Sequence, residues 1–521
     1  MKINYNRGLI KQIEDLTEQK ERLEKENKDL RAENREIRAK LSYVESTLEA
    51  RINSAVEKAL GKATKPLLAE IAEKNVQIAK MEEEINRLKG QINKDSSNSS
   101  KPPGQDGFKK ILNSREKSTR KSGGQPGHLG RYMELPKNLD ELVEKGKARL
   151  ETIDHTEGCE TYVSRHTLDI DVTLIVSEHR YEVGKVPAEH RVPVIYGNKV
   201  KALVCLLSTE GFVAMERLSN FISEITYGAI KLSDATIEKF MTDLSGKLDS
   251  EIEMIKTDLL NGPVMHTDET PMDVVQKPDY SEEVPVLRKS EHTSFTAYIR
   301  THSNEQSTLY TVNPQKDAQG CERDGLLPQY IGILSHDHEA KFYKYGTAHA
   351  TCGAHLLREL KGLFELQKIS WADDMRQFIT NINRHKNNDL EVGLAQCTSE
   401  ILAYFEKGYD SLLAAGRIKL AALKENEMGH NELRRMINRL AEYKDCYLLF
   451  IRNYCAPFTN NLAERDLRPN KTKQKVSGGF RSWHGFQHFA RILSFFSTVK
   501  KRSGNLFLSI YTILNSSPVL Q

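Results

Sequence analysis

The sequence predicts a multidomain α+β protein. It has an N-terminal coiled coil, small β-rich and helix-turn-helix-like regions, and a mixed-sheet core interrupted by a helical insertion. Three observations predict this. Apolar residues recur every seventh position at the N-terminus. From about residue 263, short apolar strands alternate with helical stretches. And 127 residues, mostly helical in pattern, separate Asp337 from Glu464 (464 − 337), too long for a single loop.

A chain of 521 residues exceeds what one core supports. Its 38% hydrophobic and 28% charged content fits a long polar helical segment joined to ordinary domains. Net charge is only +4, so the charge distribution carries more information than the total. Between Arg465 and Arg502 there are ten Lys or Arg and one acid, Asp466. Such a local surplus is either a phosphate-binding surface or a solvated helix face. The seven cysteines form no CxxC pair, which argues for a reducing compartment. The opening MKINYNRGLIKQIEDL carries no signal-peptide apolar region, and no run approaches the ~18 apolar residues of a membrane span. The expected location is cytoplasmic, without membrane contact.

Residues 1–94 are read as a coiled coil. Leu9, Leu16, Leu23, Leu30, Ile37 and Val44 form one seam position; Ile13, Lys20, Asn27, Asn34, Leu41 and Leu48 form the other. Gly61 and Pro66 are read as a break, followed by a second seam through Ile71, Ile78, Ile85 and Ile92. The narrow seam favours self-association into a homo-oligomer; the alternative is a hairpin within one chain. Residues 95–135 are a basic Ser/Pro/Gly-rich linker, able to bind a nucleic-acid backbone or to be inert. Residues 136–200 read as β-rich, with strands in TLDIDVTLIV, RYEVGKV and HRVPVIYG. Residues 201–257 read as helices broken near Gly228, with Ser233 as a candidate N-cap, an outline shared by helix-turn-helix modules and ordinary hairpins.

The core is read as residues 258–345 and 458–521, with 346–457 as the helical insertion. VMHTDETPMDVV is the first strand, with Pro271 expected to end its run; SFTAYIRTHS and STLYTVNP are the next two, and Ile331–Leu334 the fourth. Three strands, a helix, a strand and later helices match a ribonuclease-H-like layout. Asp268 then falls on the first strand, Asp337 just past the fourth, and Glu464 on a helix.

Two carboxylates near strand ends and one on a helix suit a two-metal phosphoryl-transfer site. Mg²⁺ takes hard oxygen ligands, usually one or two carboxylates plus substrate phosphate. Two such ions activate the attacking oxygen and stabilise the leaving one. Asp268, Asp337 and Glu464 are therefore the candidate catalytic and metal-holding residues. Two Mg²⁺ ions are expected, with Mn²⁺ as a substitute. Each acid has competitors. Glu269 and Asp273 rival Asp268. His336, His338 and Glu339 rival Asp337, with strand alternation placing Glu339 beside it. A surface ion pair with Arg468 is the ordinary use of Glu464. Arg465, Arg468, Lys471, Lys473, Lys475 and Arg481 are the candidate DNA-binding residues. His349, Cys352 and His355, at steps of three, share one side of an expected helix. With no fourth ligand in the motif, packed polar residues are expected there rather than zinc.

The motifs SSNSSKPP, GGQPGHLG, HTDET, HATCGAH and NNLAERDLRP, in that order, resemble the insertion sequence 66 family of bacterial DDE transposases. The resemblance implies cleavage or strand transfer at transposon ends, with Asp268, Asp337 and Glu464 in the places of the acidic triad. It implies transposon-end and target DNA as partners, along with helper proteins of the same element. Cys352 and His355 resemble a Cys-x-x-His that follows the second Asp in several transposase groups. The family's paired CxxC segment is degenerate here: residues 155–190 offer only His155, Cys159, His166, His179 and His190, so zinc is not expected there. A catalytically silent DNA-binding scaffold and a nuclease without strand transfer are the rival readings.

Overall fold

The alternation that begins at Val264 builds a sheet. β1 (Val264–Val274), β2 (Phe295–Ser303) and β3 (Thr308–Asn313) form an antiparallel meander; β4 (Ile333–His336) and β5 (Ala348–Thr351) add in parallel on the other side of β1. The strand order is β3-β2-β1-β4-β5. The computed structural model describes residues 2–47, 50–93, 135–155, 161, 163–275, 295–425 and 427–516. They divide into two units: Met1–Ile111 with Tyr196–Met215 and Asp234–Gln521, and Leu112–Ile195 with Glu216–Ser233. The predicted linker, apart from Leu135, and Cys159 lie outside the described residues.

In the first unit, α1 (Lys2–Thr47) and α2 (Ala50–Asn93) pack on each other. Lys20 pairs with Glu82 at 3.0 Å, Lys74 with Glu26 at 3.5 Å, and Asn27 donates to Asn75 at 3.1 Å, so the helices run antiparallel. The heptad seam is thus covered within the chain, with Leu23 and Leu88 buried. The expected break at Gly61 and Pro66 does not occur; α2 runs through both. Pro66 is exposed, and its lost backbone bond is offset by the packed seam.

In the second unit, α3 (Leu139–Glu144) is followed by extended chain. The β-rich reading of 136–200 needs correction: its described residues carry no strand. Ile170, Val176 and Val183 are exposed. TLDIDVTLIV has the strand period, but among the described residues no segment pairs with it, and an unpaired stretch is not a sheet.

Of the four helices that follow, α4 (Asn198–Thr209), α6 (Asp234–Gly246) and α7 (Asp249–Asn261) belong to the first unit, while nearly all of α5 (Met215–Ile225) belongs to the second. The two helices of the proposed helix-turn-helix, α5 and α6, therefore fall in different units.

Pro271 does not end β1, which continues to Val274. The reason is local. β4 pairs only with Val264–His266, and Phe480 bridges the same side only at Val274, so Pro271 has no strand partner on that edge. Pro271's carbonyl accepts from Lys471 Nζ at 3.2 Å, so its backbone faces that edge and its missing N–H breaks no ladder bond. After β3 come α8 (Ala318–Asp324) and a 3-10 turn at Leu327–Gln329 that leads into β4.

The insertion is helical as expected, but only after β5. It comprises α9 (Gly353–Gln367), α10 (Ser370–Glu391), α11 (Ser399–Ala422), α12 (His430–Glu442) and α13 (Lys444–Arg452), around a core including Leu360, Met375, Tyr409, Ile437 and Leu448. Returning to the sheet, α14 (Asn461–Ser477) packs on β1 and β2, α15 (Trp483–Lys501) packs on β3, and α16 (Leu506–Asn515) closes the chain against α4. Edge strand β3 is capped by side chains: Thr308 N donates to Thr498 Oγ1 at 3.0 Å and Tyr310 N to Ser494 Oγ at 2.8 Å.

Candidate active site

Asp268 shares its strand parity with Thr270, Met272 and Val274. Met272 and Val274 pack in the core with Leu467 of α14 and Phe486 of α15, so this is the helix-covered face. Glu269 points to the opposite face. There Arg300 on β2 donates to it at 2.8 and 3.1 Å and bonds Asp324; Lys341 also bonds it. Glu269 is thereby removed as a rival of Asp268. Asp273 is taken by Gln474 Nε2 at 2.8 Å.

Asp337 follows β4 directly, and the chain then turns: His338 has φ +74°, a left-handed backbone uncommon outside glycine. Because β4 ends at His336, strand alternation does not carry Glu339 to Asp337's side. Glu339 is held by Lys316 and, at 2.8 Å, by Lys341. Burial works against its charge, but these two bonds outweigh it and keep the carboxyl below its usual range. The histidines are engaged elsewhere. His336 Nε2 lies 3.3 Å from His349 Nδ1, and His338 Nδ1 lies 2.6 Å from the Tyr343 hydroxyl. Burial, with His349 and His338 adding to it, pushes His336 down to about 3.

Glu464 lies in the first turn of α14, where the helix dipole favours a carboxylate. Two residues absent from the sequence candidates place it. Asn460 is fully buried: its side chain donates to Thr267 O at 2.8 Å and contacts His266 Nδ1 at 3.0 Å, while its N–H reaches Cys352 Sγ at 3.3 Å. It ties the start of α14 to β1, one residue before Asp268, and to the β5–α9 turn. Asp466 accepts from Ser303 and Lys501 at 2.7 Å and from Thr308 at 3.0 Å, anchoring α14 to β2, β3 and α15. Both lie within the motif NNLAERDLRP; only its acid at 464 carries a signal that sequence reasoning can rank.

Asp268 lies within electrostatic reach of the other two acids. Burial holds the Asp268 carboxyl well above its ordinary range, and the charges of Asp337 and Glu464 raise it further. Burial and the Glu339 charge raise Asp337. Asp337 Oδ1 is buried with no hydrogen-bond partner among the described residues. Glu464 meets Cys352 Sγ at 3.8 Å and His355 Nδ1 at 3.5 Å, rather than Arg468. An open cleft of about 440 Å³ borders Glu464, Arg465, Arg468, His266 and Glu305; the two aspartates do not line it.

The expected helical row of His349, Cys352 and His355 is corrected. His349 is on β5, Cys352 caps α9, and only His355 is helical. The HAT stretch is too short for its period to distinguish strand from helix. Gly353 allows this turn to approach the chain leading into α14. It donates to Phe458 O at 2.8 Å, and an added Cβ would stand 2.8 Å from that same oxygen. Gly353→Ala is expected to cost about 1–3 kcal/mol, the usual penalty of overpacking, read as a lower denaturant midpoint.

The basic candidates separate by helix face. At about 100° per residue, Arg468, Lys471 and Lys475 follow Glu464 in one stripe. Arg465 is exposed beside it, Lys471 is half-buried, and Arg481 is exposed beyond the helix end. Lys473 falls on the opposite side, 5.8 Å from the Phe489 ring centroid, where burial lowers its pKa. Lys473 is thus turned away from the stripe that would meet a DNA backbone.

No helix among the described residues is long and apolar enough to cross a membrane. A family model described as transposase IS66 family matches residues 193–488, more than half of the chain, and that span holds all three acids. A model for a family of unknown function (DUF6444) matches residues 9–134. No curated protein and no solved structure matches. The chain belongs to the IS66 family of transposases.

Proposed function

We propose that this transposase cleaves and joins DNA strands at transposon ends through a ribonuclease-H-like core, with Asp268, Asp337 and Glu464 as its metal-holding acids. One observation carries the reading. Asp268 feels the charges of two acids that lie 69 and 196 residues further along the chain (337 − 268 and 464 − 268). Buried like charges are costly unless a cation neutralises them. The orphaned Asp337 Oδ1 and the hard, all-carboxylate donor set fit Mg²⁺ or Mn²⁺. When bound, two such ions would lower the pKa of the attacking oxygen and stabilise the departing one. The strand order β3-β2-β1-β4-β5, with an antiparallel meander and two parallel additions, supports the ribonuclease-H-like assignment.

The chain's own residues supply position. Asn460 and Asp466 fix Glu464 relative to β1, while Arg465 and Arg468 at the cleft and Lys475 further along α14 hold the DNA backbone.

The test is a cleavage and joining assay on end DNA with Mg²⁺ or Mn²⁺. Joined products support strand transfer. Cut but unjoined ends reduce the activity to that of a nuclease, and binding with neither product leaves a silent scaffold. In the same system Lys475→Ala should lower the salt slope of DNA binding by about 1, the share of one phosphate contact, and Lys473→Ala should leave it unchanged. Filter-binding titrations over a salt series read both slopes.

A further inference from the structure

Cys352, His355 and Glu464 converge at the junction of the insertion and the core. Their ligand atoms all lie within 4.8 Å of one another. Tetrahedral zinc with ordinary bond lengths separates a thiolate sulfur from a carboxylate oxygen by about 3.6 Å, and an imidazole nitrogen from that oxygen by about 3.4 Å. The corresponding separations here are 3.8 and 3.5 Å. Cys352 is buried at the N-terminus of α9, and backbone N–H groups of Ala354, His355 and Asn460 point at its sulfur. Such donors favour a thiolate. Burial, helped by the Glu464 charge, outweighs these donors and pushes the thiol up to about 11, so without a cation the site keeps its proton. His355 Nδ1 makes no hydrogen bond among the described residues. Burial, helped by the Arg358 charge, lowers the His355 pKa and leaves a neutral imidazole, the form that ligates metal.

We infer that Cys352 Sγ, His355 Nδ1 and Glu464 Oε1 form a soft-metal site of the Zn²⁺ class, distinct in chemistry from the all-oxygen Mg²⁺ site and sharing Glu464 with it. Binding releases the Cys352 proton to solvent. The fourth position falls to water or to Asp337, whose charge acts on His355. Because one carboxylate serves both sites, a bound soft ion draws Glu464 towards Cys352 and His355 and opposes loading of the hard-ion site. That consequence rests on the function proposed above; the site itself does not.

The experiment titrates the full chain with Co²⁺ in excess Mg²⁺ and follows thiolate-to-cobalt charge-transfer absorption. One equivalent should bind with that band. Cys352→Ser should abolish the band, and His355→Asn should weaken binding at least tenfold. The second His-Asp-Cys cluster, His385, Asp389 and Cys397, supplies the control: Cys397→Ser should keep the band. A melting curve for each variant separates loss of ligand from loss of fold. No thiolate band with the folded wild-type chain, or a band that survives Cys352→Ser or disappears in Cys397→Ser, overturns the site. In the cleavage assay, Zn²⁺ should inhibit the Mg²⁺-supported reaction and a chelator should restore it. A band without inhibition overturns the shared carboxylate and leaves the function untouched; no cleavage under any condition, with the band intact, overturns the function and leaves the site standing.

Discussion

Asp268→Asn is expected to lower strand cleavage by about 10³-fold or more while end binding stays measurable. Electrostatic stabilisation by bound cations contributes several kcal/mol at such sites, and each 1.36 kcal/mol is tenfold in rate. The same substitution should make the cation-free protein more stable. The sign follows from the raised carboxyl, which burial and the Asp337 charge hold above its unfolded value. Between the unfolded and folded pKa the native state binds the extra proton, so stability falls as pH rises through that window. Asparagine keeps the shape without the charge. In EDTA the variant should melt a few degrees higher than wild type at neutral pH, since about 1 kcal/mol moves a large domain by roughly 2–4 °C. Its midpoint should depend less on pH, and Mg²⁺ or Mn²⁺ should no longer raise it. Thermal melts across pH, with and without cation, read all three effects. Full cleavage by the variant would remove Asp268 from the site.

Arg300→Met carries the largest expected stability loss. Arg300 is fully buried, between Glu269 and Asp324, whose side chains are 1% and 3% exposed. Burial opposes ionisation of Asp324, but His302, whose Nε2 lies 3.8 Å away, and the Arg300 charge hold its carboxyl below the usual range. Removing the guanidinium leaves Asp324 buried without its cation and Glu269 with its lysine contacts only, a change that costs about 3–5 kcal/mol in buried pairs. A midpoint drop on the order of 10 °C should follow at neutral pH, partly recovered on acidification as the stranded acids protonate. An unchanged midpoint would mean that the network contributes little to holding β1 and β2 in register.

The elements legible in the sequence were those whose period and length agree. β1 to β3 and the long insertion helices satisfy both, and the apolar run Ile331–Leu334 marks β4, so Asp268, Asp337 and Glu464 could be placed on or beside their elements from pattern alone. What pattern lacks is pairing. The TLDIDVTLIV stretch alternates as well as β1 does, yet it remains unpaired because partner strands are not written in its own period. β5 failed for the opposite reason: four residues, Ala348–Thr351, are too few to reveal a period, and their neighbours extend the helical one. Pro271 misled because its tolerance depends on where β4 stops. Within the site, residue type singled out Glu464 but neither of the residues that position it, Asn460 and Asp466. Asn460, which bridges β1 and the β5–α9 turn to α14, reads in sequence as an ordinary helix-start residue. Lys473 shows the converse: residue type suggested a surface contact, and only the helix face shows it turned over Phe489.

The convergence of the three acids on divalent ions is tested most directly by crystals of the chain with transposon-end DNA and Mn²⁺, measured by anomalous scattering at the manganese edge. The account predicts peaks ligated by carboxylate oxygens of Asp268, Asp337 and Glu464, beside a phosphodiester. Peaks that leave any one of the three unligated, or no peak near Asp268, would contradict it.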